Sequence, residues 1–313
     1  MIPVVILTAG AGARLGEIGK LFPKALLPVG DRTLLELHLR VFSGLGTKRF
    51  IIVTDPSSDS VGEAAKRALE GSGAELFVVP QSERRGIGHA ASLAEPWLDG
   101  GPFALVLGDT YYSQPDLAGA VKAVAGGGAD AVLSVRTVAD EAAILKECTI
   151  AQDAAGRVLR IIEKPARALS MVKPCGIYFF GPRFMQALKV TRPSALRGEI
   201  ELTDAIQNLI AGGGLVKAME TLKLDVNITY PGDILAANSA WLVERGLRGF
   251  AHPSAAVGEG AELENSVAAQ GSFIGAGARV KNSVVFPGGS VPAGAAISGA
   301  LVLDGFTVPG SGS

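Results

Sequence analysis

The segment from Ile2 to Gly30 concentrates the residues whose types and spacing can do chemistry. The apolar run Val4–Leu7 is followed by Gly10, Ala11 and Gly12, then by Arg14, and then by Pro23-Lys24. A short apolar run stopped by glycines reads as a buried strand entering a tight loop. Glycines carry no Cβ, so their backbone N–H groups can come close to a ligand. Successive N–H groups form anion-binding concavities. Arg14 and Lys24 add positive charge of the kind that phosphates attract. Together these features predict a polyphosphate site. The loop is not the G-x-x-x-x-G-K-[ST] pattern, and Leu15 stands where a full G-x-G-x-x-G would need its third glycine.

These residues need a scaffold, and the chain supplies an alternating one. Helices are expected over Leu34–Phe42, with Thr33 and Glu36 as a capping box, over Ser60–Glu70, and over Leu117–Ala125. Strands are expected over Phe50–Thr54, Glu75–Val79, Phe103–Leu107 and Ala131–Val135. Such alternation predicts a parallel sheet covered on both faces. Three further runs, Thr149–Gln152, Val158–Ile162 and Cys175–Phe180, lack long helices between them, which predicts an antiparallel portion. Helices are expected again over Glu201–Ala211 and Ile234–Arg245, and a linker near Gly246–His252.

The tail is a repeat. Val257–Phe273, Ile274–Ser290 and Val291–Thr307 align without gaps at a period of 17, matching Val257 with Ile274 and Val291, and Val267 with Val284 and Leu301. Apolar or small residues recur about every six positions, the hexapeptide signal of a β-helix with one coil per copy. The uncharged stretch Ser283–Leu303 is therefore read as coil, not as a membrane span. Three coils are near the minimum for a stable stack, so the tail should lean on its neighbour domain or on another subunit.

An ordered set of motifs runs through residues 2–245. The stretch LTAGAGARLGEIGKLFPKALLPVG is followed by Gly108-Asp109, Glu163-Lys164-Pro165, Cys175-Gly176-Ile177-Tyr178, Gly198–Asp204, and Asp225-Val226-Asn227 leading to Pro231-Gly232-Asp233. In this order the chain resembles the sugar-1-phosphate nucleotidylyltransferases, several of which carry a hexapeptide-repeat tail. The resemblance implies an α/β fold. It comprises a Rossmann-like nucleotidyltransferase domain with a mixed, mostly parallel sheet over residues 1–246, then a short left-handed β-helix over 253–313 with three coils from 257. It implies Mg²⁺-dependent attack of a sugar-1-phosphate oxygen on the α-phosphorus of a nucleoside triphosphate, with pyrophosphate leaving. Two polyanions must meet in such a reaction, so cations and a metal matter more than a general base.

The resemblance also assigns roles. Arg14 would bind the leaving pyrophosphate, Lys24 would sit near the reacting phosphates, and Asp109 would ligate Mg²⁺. Gly10, Ala11 and Gly12 would line the nucleotide. Lys164 would clamp the sugar phosphate, and Glu163 would accept sugar hydroxyls. Gly176, Glu201 and Thr203 would line the sugar pocket. Asn227 stands at the second metal position, where many relatives carry Asp; whether Asn227 or Asp225 completes the shell stays open. Gln81 and Gly86 match the pair that meets a pyrimidine edge, pointing to UTP or dTTP; an amide both donates and accepts, as an imide requires. CTP- or GTP-using relatives remain an alternative, as does a non-catalytic subunit that only binds nucleotide sugar. Thr8 replaces the usual small residue, and Gly16 replaces a proline that often follows Arg-Leu. An acyltransferase role for the tail has little support, because His252 alone precedes the coils.

Residue by residue, Asp109, Glu163-Lys164 and Glu201-Thr203 also admit plain readings as an N-cap, a solvated strand end and a helix start. The chain has 313 residues, a net charge of −1 and three histidines. That length can bury a large core, and the charge balance points away from nucleic acid. Cys148 and Cys175 form no disulfide framework, and no basic region precedes the first apolar run, so reduced thiols, a cytoplasmic location and no membrane partner are expected. The tail predicts a homo-oligomer.

Overall fold

A computed structural model describes residues 1–57, 59–195 and 197–310. The last three residues of the expected tail, 311–313, lie outside the described residues. The chain forms two compact units. The first comprises Met1–Gly10, His38–Gly108 and Pro115–Leu224; the second comprises Ala11–Leu37, Asp109–Gln114 and Asp225–Ser313.

The first unit is built on a seven-stranded sheet. Its order is Val216–Glu220, Ala131–Thr137, Val172–Phe180, Phe103–Leu107, Val4–Leu7, Arg49–Thr54 and Glu75–Pro80. Val4–Leu7 pairs in parallel with Arg49–Thr54 on one side and Phe103–Leu107 on the other. Val172–Phe180 is antiparallel to both of its neighbours. The sheet is therefore mixed and mostly parallel. Its central strands are apolar along nearly their whole length because both faces are covered; Phe50, Ile52, Phe103, Leu105 and Val106 are fully buried. Cys148–Gln152 and Val158–Glu163 form a separate antiparallel pair, as expected for the middle of the chain.

The expected helices are present with small shifts at their ends: Leu34–Gly44, Ser60–Leu69, Ala118–Ala125, Leu202–Ala211 and Pro231–Glu244. The capping box forms, with Thr33 N and Oγ1 donating to Glu36 Oε2 at 2.8 and 2.9 Å. Three short helices, Glu17–Leu21, Glu141–Lys146 and Arg183–Lys189, were not expected. Each has seven residues or fewer, too short for an apolar period to declare itself.

In the second unit the tail coils as a β-helix with three parallel ladders. Phe250, Val267, Val284 and Leu301 stand in one register. Ala256, Phe273 and Ser290 form the second ladder, and Glu262, Arg279 and Ala296 the third. Every step is the 17-residue period read from the sequence. The first rung begins at Phe250–Ala251, inside the stretch expected as a linker. The start of that copy lies in helix Pro231–Glu244, so the copy is incomplete and shows no full repeat in the sequence. Phe306–Pro309 folds back antiparallel on Ala300–Leu303 and pairs the last edge of the first ladder.

The coils do not stand alone. Val267, Val284, Phe286 and Leu301 share one core with Leu15, Ile18, Leu27, Val29, Ile234 and Trp241. The tail thus rests on the loop segment after the first strand and on the last helix. No helix among the described residues is long and apolar enough to cross a membrane.

Candidate functional site

The expected site residues fall into two groups, one in each unit. Ala11, Gly12, Arg14, Lys24, Asp109 and Asn227 belong to the second unit; Gly10, Gln81, Gly86, Glu163, Lys164, Gly176, Glu201 and Thr203 belong to the first.

In the second unit Gly12 adopts φ +63°, a left-handed conformation suited to glycine, and opens the turn Ala13–Leu15. The turn closes against Gly19. A Cβ on Gly19 would lie 2.3 Å from the Gly12 carbonyl oxygen, so only glycine lets these backbones meet. Gly19 is a loop-forming residue that motif reading passed over. Gly16 stands at φ +60°. Proline is locked near −65° and cannot take that conformation, so the loop necessarily differs in shape from one with proline there.

Arg14 is exposed and has no ion-pair partner among the described residues. Glu17 pairs with Lys20 at 2.5 Å. Lys24 is mostly buried, and its Nζ donates to Asp109 Oδ2 at 2.9 Å. Asp109 is followed by the strand Thr110–Ser113, not by a helix, which removes the N-cap reading. Its backbone oxygen accepts from Ile228 N at 2.9 Å, so Asn227 is the sequence neighbour of a residue bonded to Asp109. Asn227 is exposed, whereas Asp225 is buried and 7% accessible.

No group of three His, Cys, Asp or Glu that could hold a metal occurs among the described residues. The donors present are one part-exposed carboxylate at Asp109 and one exposed amide at Asn227. That set suits Mg²⁺, which is held through one or two carboxylates plus substrate phosphates and waters rather than by an all-protein cage.

The end of the motif segment is held by residues far away in the chain. Asn238 Oδ1 accepts from Gly30 N at 2.8 Å, and its Nδ2 donates to Pro28 O at 2.9 Å. Gly30, at φ +64°, faces Trp241: a Cβ there would fall 2.0 Å from the indole.

In the first unit Thr8 donates through both N and Oγ1 to Val53 O, at 2.7 and 2.8 Å. The departure at Thr8 is thus absorbed as a clip between two strand ends. Gln81 is 7% accessible, its Nε2 donates to Gly86 O at 3.4 Å, and the same nitrogen lies 3.3 Å from His89 Nδ1. A carbonyl only accepts, so the amide nitrogen must face Gly86, and Oε1 is the atom left for a ligand. Gly86, at φ +101°, and Gly88 pack on Ile200; a Cβ on either would lie within 2.7 Å of the Ile200 carbonyl oxygen. Gly88 N donates to Ile200 O, and Ile200 N to Arg85 O, both at 2.8 Å. Two motifs more than a hundred residues apart in sequence are therefore one backbone pairing.

Glu163 ends the strand Val158–Glu163, and Lys164 follows at φ +41° with its side chain exposed. Arg197 joins the acidic residues: it is bidentate on Glu201, with Nε–Oε1 and Nη2–Oε2 both 2.8 Å, and reaches Glu163 Oε1 at 3.5 Å. Arg197 directly precedes the matched Gly198–Asp204 segment; its sequence signal was a charged neighbour and no more. Burial, and then the charge of Glu201, push Glu163 up to about 7. The same two causes raise Asp204. Thr203 Oγ1 is buried and has no hydrogen-bond partner among the described residues. Gly176 stands at φ +82°, where the register of Val172–Phe180 shifts against its neighbour.

A model of the nucleotidyl transferase family matches residues 3–241. The chain is 32% identical over 216 residues to a glucose-1-phosphate thymidylyltransferase of Actinoplanes sp., covering 67% of this chain and 68% of that protein. It is 30% identical over 230 residues to a UTP–glucose-1-phosphate uridylyltransferase of Haloferax volcanii, covering 73% and 92%. Among solved structures, a UDP-glucose pyrophosphorylase complexed with UDP-glucose superposes with a TM-score of 0.68 at 23% identity, covering 78% of this chain and 100% of that one. That last likeness is one of fold.

Proposed function

This chain belongs to the nucleotidyl transferase family, and on that premise we propose that it transfers a nucleotidyl group from UTP or dTTP to a hexose-1-phosphate, with release of pyrophosphate. The observation that carries the reading is the Lys24–Asp109 pair in the unit that holds the Gly12–Gly19 loop and Arg14. It sets a cation and an anion side by side, as a site handling phosphates together with a divalent cation requires.

Arg14, exposed and without an acidic partner among the described residues, is suited to the leaving pyrophosphate, where charge builds in the transition state. Lys24 is suited to the α-phosphate and the incoming sugar phosphate. Asp109 and Asn227 would hold Mg²⁺, which when bound neutralises the phosphate charge that opposes attack. The nucleophile is a phosphate oxygen already ionised at neutral pH, so these residues bind and orient, and none is required as a base. Gln81 Oε1 is suited to accept the imide N–H of uracil or thymine; cytosine presents an acceptor there. Glu163, Glu201 and Thr203 would meet sugar hydroxyls near Gly176, and Lys164 the sugar phosphate. The transferase region spans residues 1–246. The β-helix that follows is taken as left-handed and as the assembly surface of a homo-oligomer, a reading supported by half-exposed Val257 and Phe273 on its second ladder. The buried, unbridged Cys148 and Cys175 suit a cytoplasmic setting.

The test is pyrophosphate release from UTP, dTTP, CTP and GTP against a panel of sugar-1-phosphates with Mg²⁺. Turnover with UTP or dTTP and a hexose-1-phosphate is expected. Absence of turnover with every pair, in protein shown to be folded, overturns the reading. Nucleotide-sugar binding by calorimetry in that case would identify a non-catalytic binding subunit. Light scattering of the full chain tests assembly.

A further inference from the structure

We propose that Lys173 is a positioning residue for the sugar-phosphate clamp, acting through Glu147 on Lys164. The proposal rests on the reading of Lys164 given above.

Lys173 lies on the strand Val172–Phe180, and its side chain is only 3% exposed. Its Nζ donates to Glu147 Oε2 at 2.5 Å. Glu147 sits between the helix Glu141–Lys146 and the strand Cys148–Gln152. Its own backbone oxygen accepts from Lys164 N at 2.7 Å. Glu147 therefore faces two ways, with its carboxylate on the sheet lysine and its carbonyl on the turn that carries Lys164.

That turn needs holding. Lys164 stands at φ +41°, a left-handed conformation that is unfavourable for a residue with a Cβ and persists only where the surroundings impose it. On one side the turn is fixed by the antiparallel ladder, in which Glu163 stands opposite Cys148. On the other side it is fixed by the Glu147 carbonyl. Glu147 has an unusual backbone, φ −117° and ψ −108°, so the ladder alone does not set the direction of its carbonyl. The buried ammonium of Lys173 does so by gripping its side chain.

Desolvating an ammonium is costly, and an apolar residue of similar volume is often as stable or more so. Lys173 is explained by what it orients.

The experiment uses Lys173→Met in the full chain. Methionine fills a similar slot, and Glu147, 36% exposed at its side chain, can be hydrated once released. The expected result is a KM for sugar-1-phosphate raised about tenfold, with KM for the nucleoside triphosphate unchanged within about twofold. Amide exchange at Lys164 should quicken by about tenfold or more, a readout that needs no activity. In a Lys164→Ala background, Lys173→Met should add little to KM, because the two act in series. A lowered melting temperature with unchanged sugar-phosphate KM and unchanged exchange at Lys164 overturns the proposal, as does full additivity with Lys164→Ala. Should Lys173→Met not fold, Glu147→Gln removes the same ion pair from the more exposed side and must give the same KM shift and the same faster exchange. If the wild-type protein turns over no substrate pair, the functional reading fails by itself, and the exchange measurement still decides whether Lys173 holds the turn.

Discussion

Lys24 Nζ and Asp109 Oδ2 lie 2.9 Å apart although 85 positions separate them in sequence, with the lysine side chain 14% exposed and the carboxylate 31%. The pair couples the cation after the glycine loop to the acid at the end of the Phe103–Leu107 strand. Asp109→Ala should reduce turnover by about 10²-fold or more, the scale of losing one charge stabiliser. Because each residue also holds the other, adding Lys24→Ala to Asp109→Ala should cost much less than the two single losses summed. Steady-state pyrophosphate release in the four combinations measures the coupling; simple additivity would show that the pair is not a unit.

Arg14 is on the surface and is held by no carboxylate among the described residues. Arg14→Ala should therefore cut kcat by about 10²-fold while changing stability by no more than about 0.5 kcal/mol. Urea unfolding beside kinetics separates the two. A variant of near-normal rate would place the pyrophosphate elsewhere.

Glu163 is raised to about 7 by burial and by Glu201, and in its proposed role as acceptor of sugar hydroxyls it would act best as a carboxylate. KM for the sugar-1-phosphate should therefore fall as pH rises through about 7, and Glu163→Gln should flatten that dependence. The stability sign is opposite. The native state binds the proton more tightly than the unfolded chain, whose carboxyl titrates near its ordinary value of 4.5. The contribution of Glu163 to stability is thus greatest below that value and is lost as pH rises toward about 7. Thermal melts of wild type and Glu163→Gln across this window should diverge in that direction.

Gln81 is fixed with its nitrogen toward Gly86 and His89, and in the proposed reading its Oε1 meets the base. Gln81→Ala should lower kcat/KM for UTP or dTTP by about tenfold, one hydrogen bond's worth, and CTP by less. An equal loss for every nucleotide would mean that Gln81 shapes the loop without reading the base.

Gly30 is pinned beneath Trp241, where a Cβ would fall 2.0 Å from the ring, and its φ is positive. Gly30→Ala combines overpacking with backbone strain and should cost about 3 kcal/mol or more. Denaturant melts would show it. A smaller loss would mean that the helix Pro231–Glu244 shifts freely, contrary to its clip through Asn238.

Most of the scaffold was legible in the sequence. Val4–Leu7, Phe50–Thr54 and Phe103–Leu107 are apolar runs because central parallel strands are buried on both faces, and a different, helical spacing of apolar residues marks the capped helix from Leu34. The 17-residue period fixed the register of all three ladders, since each coil must stack its apolar positions on the coil before. The motif set marked Arg14, Lys24, Asp109, Gln81, Gly86, Glu163, Lys164, Glu201 and Thr203 by type and order, because local backbone needs and charge are written locally.

What the sequence could not contain is which distant groups meet. That Lys24 is held by Asp109, that Arg197 bridges Glu163 and Glu201, that Gly86 and Gly88 lie against Ile200, and that Asn238 and Trp241 clamp Pro28–Gly30 all depend on how far-separated segments pack. So does the first coil at Phe250–Ala251, whose copy starts inside the helix Pro231–Glu244, and so does the grouping of the tail with the loop after the first strand. Periodicity and motif order are properties of neighbours along the chain. A salt bridge, a glycine that only a facing carbonyl requires and a shared core are properties of neighbours in space, and only the tertiary structure decided those.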